Sequence, residues 1–241
     1  MNGVILAGGK GNRLKPLTEI TNKHLLPIGR EPMIWHSVRQ LCQSNIKNIL
    51  VITSTEHMGD IVNSLGSGKR FECKFTYRVQ EETKGIAAAL ALAEDFSSKD
   101  KIIVLLGDNI FEYSISEHVE AFSQQSIGAR VLLKEVRDPE RFGVAALDEK
   151  QILSIEEKPT KPRSNYAVVG CYMYDHQVFE VIKGLKPSMR GELEITSVNN
   201  TYLNKGHLEY GFIQGNWMDA GTFESLQEAN NILLRNNNNI L

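Results

Sequence analysis

The sequence predicts an α/β protein of one domain, a mixed and mostly parallel sheet with helices over both faces. Three observations carry that prediction. Short apolar runs such as "GVILA" (3–7), "NILVIT" (48–53) and "KIIVLLGDN" (101–109) are continuous rather than alternating. Stretches with helical spacing separate them, which is the pattern of parallel strands buried on both faces and joined by crossover helices. At 241 residues, 41% apolar and 23% charged, the chain is long enough for one large core and ordinary in composition.

The elements follow in order. "GVILA" is a buried strand bounded by glycine. Pro32 suits a first helical position, and "MIWHSVRQLCQ" continues from it with helical spacing. "NILVIT" is the second strand, and "HMGDIVNSLG" a short helix closed by Gly66. "KFTYRVQ" (74–80) alternates as a strand, "GIAAALALAEDF" (85–96) is an alanine-rich helix, and "KIIVLLGDN" ends in a turn. The middle changes character: "GARVLLKEV", "GVAALD", "QILSIEEKP" and "YAVVGCYMYD" are strands with few helices between them, as added or antiparallel strands would be. "GELEITSVNNTYLNKG" (191–206) returns to helix, ended by Gly206; "HLEYGFIQG" is a strand, and "TFESLQEANNILLRN" a last helix with a threonine at the cap position. There is no internal repeat and no proline-rich linker. Residues 1–235 read as one unit, with 236–241 as a frayed tail.

Charge and cysteine usage narrow the function. A net charge of −2 argues against nucleic acid or an anionic membrane as partner. Cys42, Cys73 and Cys171 form no CxxC pair, which suggests reduced thiols, no zinc site and a cytoplasmic setting. No apolar run approaches the roughly 18–20 residues that span a bilayer. "MNGVILAGG" lacks the charged start of a secretion signal.

The stretch "GVILAGGKGNRLKPLTEITNKHLLPIGREPM" (3–33) carries the chemistry. A strand, a glycine turn and spaced cations make a recipe for holding phosphate: glycines let backbone amides approach an anion, and the charges neutralise it. Taken alone, such a turn equally fits a tight surface bend with incidental charges. A dinucleotide fingerprint is excluded because the third glycine of GxGxxG is missing, and a P-loop because no GK[ST] follows.

"LAGGKGNRLKPLT" followed by "NKHLLPIGREPMI" resembles the signature of the sugar-phosphate nucleotidyltransferases, roughly GGxGxRLxPLT and then KxLLPxxxxPM. "LGDN" (106–109), "FGV" (142–144), "EEKP" (156–159), "YAVVGCYMYD" (166–175), "RGELEIT" (190–196) and "WMDAGT" (217–222) extend the resemblance over nearly the whole chain. Within that family it is most similar to the thymidylyltransferases that act on glucose-1-phosphate. The resemblance implies the Rossmann-like, doubly wound nucleotidyltransferase fold. It also implies a reaction of dTTP with glucose-1-phosphate to dTDP-glucose and pyrophosphate, Mg²⁺ as cofactor, a place in nucleotide-sugar supply for surface polysaccharide, and association of copies of the chain.

In that reaction a sugar-phosphate oxygen attacks the α-phosphorus. The phosphate's second pKa is about 6, so the nucleophile is already ionised at neutral pH and needs no general base. The difficulty is to bring two polyanions together. The resemblance gives the nucleotide to the main chain at Leu6, Ala7, Gly8, Gly9 and Gly11, and its phosphates to Arg13 and Lys23. It assigns the metal to Asp108 and Asp219; alone, a strand-end Asp-Asn pair equally fits a turn cap. Lys158, helped by Arg190, is implied at the sugar phosphate. Glu157, Asn109 and main-chain groups near Gly143 and Val168 are implied at the sugar, with Tyr172 in support or simply packed. Gln80 and Gly85 match a base-pocket pattern of roughly QxxPxGLAQA, here "QEETKGIAAAL", with Glu82 or Thr83 in place of its proline and Ala88 in place of its glutamine. Lys15 reads as a solvated charge. UTP or another sugar phosphate in the same chemistry, and a catalytically silent sugar-nucleotide-sensing subunit, are the alternatives.

Overall fold

A computed structural model describes residues 1–149 and 151–238. Strand β1 (Asn2–Ala7) is buried along its whole length. A small hairpin follows, β2 (Pro27–Ile28) with β3 (Glu31–Pro32), and Pro32 caps helix α1 (Met33–Gln43) from just outside rather than occupying its first turn. Then come β4 (Asn48–Ser54), α2 (Met58–Leu65) closed by Gly66 in a positive-φ conformation, and β5 (Lys74–Gln80). The helix expected over 85–96 divides into α3 (Ile86–Ala91) and α4 (Glu94–Ser97). Leu92 and Ala93 donate three residues back, to Ala89 and Leu90, so the backbone tightens where the helix would have continued.

Strand β6 (Ile102–Leu106) turns through Gly107–Asp108 into a short β7 (Asn109–Phe111). Helix α5 (Ser116–Gln124) leads to β8 (Ala129–Glu135), β9 (Gly143–Leu147), β10 (Ile152–Glu157) and β11 (Tyr166–Tyr174). After α6 (Val178–Lys183), α7 runs over Ile195–Asn204, four residues later than expected. The start is delayed because Leu193 is taken by other backbone: its N–H donates to Lys84 O at 2.8 Å and its carbonyl accepts from Ala87 N at 3.2 Å. Strands β12 (Leu208–Phe212) and β13 (Trp217–Asp219) precede α8 (Phe223–Asn238). That helix continues through 236–238, where fraying was expected; residues 239–241 lie outside the described part.

The described residues divide into two compact units made of interleaved chain segments. Of the described residues, the glycine-turn unit holds 3–82, 105–116 and 214–238; the second holds 1–2, 83–104, 117–149 and 151–213. In the glycine-turn unit β1, β4 and β5 pair in parallel, in rows such as Ala7–Thr53–Val79. The β13–β7 ribbon is antiparallel. A core cluster joins Leu14, Leu26, Ile28, Met33, Ile110, Met218, Ala220 and Ala229, with Leu226, Ile232 and Leu233 of α8 packed against it. In the second unit β9, β10, β11 and β8 pair antiparallel, and β12 lies parallel to β8. Asn200 of α7 grips that sheet through Ile155, donating to its carbonyl at 2.8 Å and accepting from its N–H at 3.2 Å. The sheet is therefore mixed, as the two halves of the sequence suggest.

Helix α8 is anchored by its cap. Thr222 Oγ1 accepts from Ser225 N at 3.2 Å, and Ser225 Oγ accepts from Thr222 N at 3.1 Å. Replacing the cap side chain leaves helix-end N–H groups without that partner. Thr222→Ala is expected to cost roughly 0.5–2 kcal/mol in urea unfolding, with Thr222→Ser close to wild type; equal stability of all three would remove the capping role.

Candidate active site

The parallel strands of the glycine-turn unit end together, which sets the site's floor. Ser54 pairs with Gln80 in the row after Ala7, so Gly8 leaves the sheet level with Gln80. The Gln80 carboxamide lies directly against Gly8, where any side chain would displace it. Gly11 sits at φ +66, a conformation open to glycine, and an added Cβ would meet Thr18 Cγ2 at 2.8 Å and Lys23 Cβ at 2.9 Å. The bend is thus shaped by its glycines, with Gln80 on one side and Lys23 on the other.

Asn22, which the sequence reading did not single out, fixes Lys23. Its amide donates to Ala7 O at 3.3 Å, and its carbonyl accepts from His24 N at 2.9 Å and faces His24 Nδ1 at 2.7 Å. His24 is fully buried against Gly107, where a Cβ would come within 2.8 Å of its Cδ2. The Lys23 ammonium forms an ion pair with Asp108. Burial pushes the Asp108 carboxyl up, but the Lys23 ammonium and the hydrogen bonds from Lys23 and Asn109 hold it well below the usual carboxylate range. It is a carboxylate at neutral pH.

The ribbon register brings the second carboxylate to the same place. Asp219 stands opposite Asn109, and Ala220 N donates to Asp108 O at 2.9 Å. A Cβ on Gly221 would lie 2.8 Å from Arg13 Nη2 and 2.9 Å from Asp219 Oδ1, so guanidinium and carboxylate converge on one spot. Core and site residues are neighbours in sequence: Arg13 beside Leu14, Asn109 beside Ile110, Asp219 between Met218 and Ala220. Packing of the apolar partners aims the polar ones. Asn109, expected at the sugar, is buried here, accepting from Trp217 Nε1 at 2.8 Å and donating to Asp108 Oδ1 at 3.0 Å. That N–H orients Asp108.

The second unit carries the other set. Gly143 pairs with Glu157 at the end of β10, and Thr196 Oγ1 donates to Glu157 Oε2 at 2.5 Å. Lys158 has φ +45, rare for a side-chain-bearing residue and held by its N–H bond to Phe142 O at 2.9 Å. Its ammonium lies 3.9 Å from Glu157 Oε1, and Arg190 Nη1 lies 3.5 Å from the same oxygen. Arg190 also faces Glu192 at 3.4 Å and Glu194 at 3.7 Å. These are long contacts on half-exposed side chains, weak enough to yield to a phosphate. Lys158, Glu157, Arg190 and Gly143 therefore come together as expected. Gly85, at φ +100, is pressed against Leu193 of the same Arg190 segment. Val168 pairs with Leu133 along β11, and the buried Tyr172 ring stacks on Tyr174 at 6.3 Å. The packed reading of Tyr172 is the one its burial supports. Leu6 and Ala7 are buried strand residues whose carbonyls already accept from Gly107 N and from Asn22 and Thr53. Lys15 is exposed, with its ammonium 3.9 Å from Glu19.

Comparison with known proteins places this arrangement. Residues 2–236 match the family described as nucleotidyl transferase. A glucose-1-phosphate thymidylyltransferase of Neisseria meningitidis is 42% identical over 233 residues, 95% of this chain and 81% of that protein. The low-salt glycan biosynthesis nucleotidyltransferase Agl11 of Haloferax volcanii is 37% identical over 97% of this chain and 66% of its own length. The crystal structure of a Bacillus anthracis protein described as a glucose-1-phosphate thymidylyltransferase, in complex with a sucrose, superposes with TM-score 0.94 at 57% identity, covering 97% of this chain and 95% of that one. A UDP-glucose pyrophosphorylase complexed with UDP-glucose shares the fold, with TM-score 0.86 at 23% identity and 98% coverage of both chains. The mixed, mostly parallel α/β sheet expected from the sequence is the fold of these structures.

His24 makes the site acid-sensitive. Burial, aided by the Lys23 ammonium and opposed by Asp108, lowers its imidazole from 6.5 to about 3. The folded state holds it neutral, while the unfolded chain takes up a proton below 6.5. Its contribution is therefore complete above pH 6.5 and declines as pH falls toward 3, with a limiting slope of ~1.4 kcal/mol per pH unit. Urea unfolding between about pH 6.5 and 5, above the carboxylate range, is expected to show stability falling more steeply with pH in the wild type than in His24→Gln. Identical slopes would mean that the ring titrates freely in the fold.

Proposed function

The chain belongs to the nucleotidyl transferase family, and from that premise we propose that it joins dTTP and glucose-1-phosphate into dTDP-glucose and pyrophosphate. The observation that carries the reading is the convergence of Arg13, Lys23, Asp108 and Asp219 about one glycine bend. The thymidylyltransferases similar over most of the chain favour dTTP and glucose-1-phosphate as the pair.

The glycine-turn unit receives the nucleotide. Main-chain amides of the bend approach the triphosphate, Arg13 forks two of its oxygens, and Lys23 supplies a point charge. Gln80 offers its carboxamide to the pyrimidine edge. In the second unit Lys158 and Arg190 hold the sugar phosphate, and Glu157, oriented by Thr196, accepts from sugar hydroxyls. The phosphate dianion attacks without a base, because it arrives deprotonated. The residues withdraw charge from the phosphates and align the attacking oxygen opposite the departing pyrophosphate.

The donor set suits Mg²⁺. Two hard carboxylates meet there, Asp219 on the β13–β7 ribbon and Asp108 in the turn that leads into it. Few protein ligands, with room for phosphate and water, are what Mg²⁺ takes. When bound there it would supply Lewis-acid polarisation of the triphosphate. We place the enzyme in the cytoplasm, in nucleotide-sugar supply; no helix among the described residues is long and apolar enough to cross a membrane.

Pyrophosphate release should require Mg²⁺ and be fastest with dTTP and glucose-1-phosphate in a panel of nucleotides and sugar-1-phosphates. Silence across the panel would overturn the reading. Asp108→Asn is expected to lower kcat by roughly 10²-fold or more, with wild-type turnover removing Asp108 from the chemistry. Lys158→Met should raise KM for the sugar phosphate about tenfold while leaving KM for dTTP nearly unchanged; the opposite split would move Lys158 to the nucleotide.

A further inference from the structure

Lys23 answers to two partners. Its stem lies along the glycine bend: a Cβ on Gly9 would come within 3.0 Å of its Cε and 3.2 Å of its Nζ. Its ammonium is paired with Asp108 Oδ2. The other oxygen, Oδ1, accepts from Asn109 Nδ2 at 3.0 Å, and Asn109 is itself held by Trp217 Nε1 at 2.8 Å. Both oxygens of Asp108 are engaged. Only the ammonium rides on a flexible four-carbon stem that can swing away; Asn109 is buried and locked by its indole partner.

We propose that Lys23 is a placeholder cation, which neutralises Asp108 and surrenders Oδ2 to a divalent metal ion only when a triphosphate at the glycine bend draws the ammonium off. The inference rests on the reading of Asp108 as a metal ligand given above. Its consequence is that metal and nucleotide bind cooperatively through this pair of side chains.

The charges enforce it. A divalent ion arriving alone would displace the ammonium with no anion to receive it, and two like charges would stand close together in a sheltered site. A triphosphate arriving alone would strip Asp108 of its counter-ion and leave a buried carboxylate facing further negative charge. When both arrive, the ammonium moves to phosphate, the metal moves to Asp108, and every charge keeps a partner. Coupling of this kind is reciprocal: each ligand tightens the other by the same factor.

Each half can be read without turnover. Mn²⁺ alone, followed by electron paramagnetic resonance of the free ion, should bind Lys23→Gln roughly tenfold more tightly than wild type. Lys23→Arg, which keeps the charge, should stay as weak as wild type. In EDTA, Asp108→Asn should bind dTTP roughly fivefold or more tightly than wild type, because its Lys23 is released toward the phosphates. That last result is the reverse of what loss of a merely structural aspartate would do. Equal Mn²⁺ affinity in wild type and Lys23→Gln overturns the proposal, as does unchanged or weaker binding of dTTP by Asp108→Asn. Melting curves establish that each variant is folded. These are equilibrium measurements, so failure of dTDP-glucose synthesis would leave them standing, and their failure would leave the synthesis standing.

Discussion

The ion pair between Lys23 and Asp108 is the interaction on which the glycine-turn unit is organised. A carboxylate as sheltered as Asp108 would ordinarily be driven toward its neutral form. The ammonium beside it keeps it charged, and the surrounding polar groups keep the ammonium in place: Asn22 fixes the turn that carries Lys23, and Asn109 fixes the second oxygen of Asp108. His24 beneath them remains a neutral, packed ring because burial disfavours its charged form and a second positive charge next to Lys23 would be repelled. One charge-balanced pair thus dictates the protonation and position of its neighbours.

The same pair shows why the site is poor in acid-base dyads and rich in cations. The nucleophile is a phosphate that is already ionised at neutral pH, so proton transfer contributes little. What opposes the reaction is the repulsion between two polyanions. In the proposed reaction, cations on unequal leashes would meet that demand: Arg13, whose neighbour Leu14 is anchored in the core; Lys23 on a flexible stem; and, in the second unit, Lys158 at a strained backbone position with Arg190 in long contacts. Weak pairing of Arg190 with three carboxylates is useful here. A tight buried pair would have to be broken at several kcal/mol before a substrate could enter, whereas these contacts exchange readily.

Much of this was legible in the sequence because it is local. The glycine bend, Arg13 and Lys23 lie within a short stretch whose spacing carries the chemistry, and "KIIVLLGDN" announces both a strand and the turn that presents Asp108. Residues brought in from far along the chain were not. Trp217 and Asn109 are 108 positions apart, and only the β13–β7 register makes the indole a support for the aspartate turn. Thr196 ends the motif "RGELEIT", and nothing in that string says that its hydroxyl faces Glu157. The helix drawn from Gly191 failed for a related reason: "GELEIT" has helical spacing, but Leu193 finds its hydrogen-bond partners in Lys84 and Ala87, over a hundred residues earlier. Nor does composition reveal that segments on either side of 83–104 and 117–213 form one unit.

The glycines tie these strands together. In a chain that must hold polyanions, each glycine near a cation leaves room for a long side chain to lie flat against the backbone: Lys23 along Gly9 and Gly11, the Arg13 guanidinium over Gly221, the Gln80 carboxamide over Gly8. A side chain at these positions would crowd the group lying there, by a few tenths of an ångström at Gly9 and by more at Gly8 and Gly221, and electrostatic stabilisation of a transferring phosphoryl group tolerates little such displacement. The glycine content of the motifs therefore follows from the electrostatics. Backbone bulk is removed wherever a charge must come close, and the apolar residues interleaved with those charges, Leu14, Ile110 and Met218, supply the rigidity that the glycines give up.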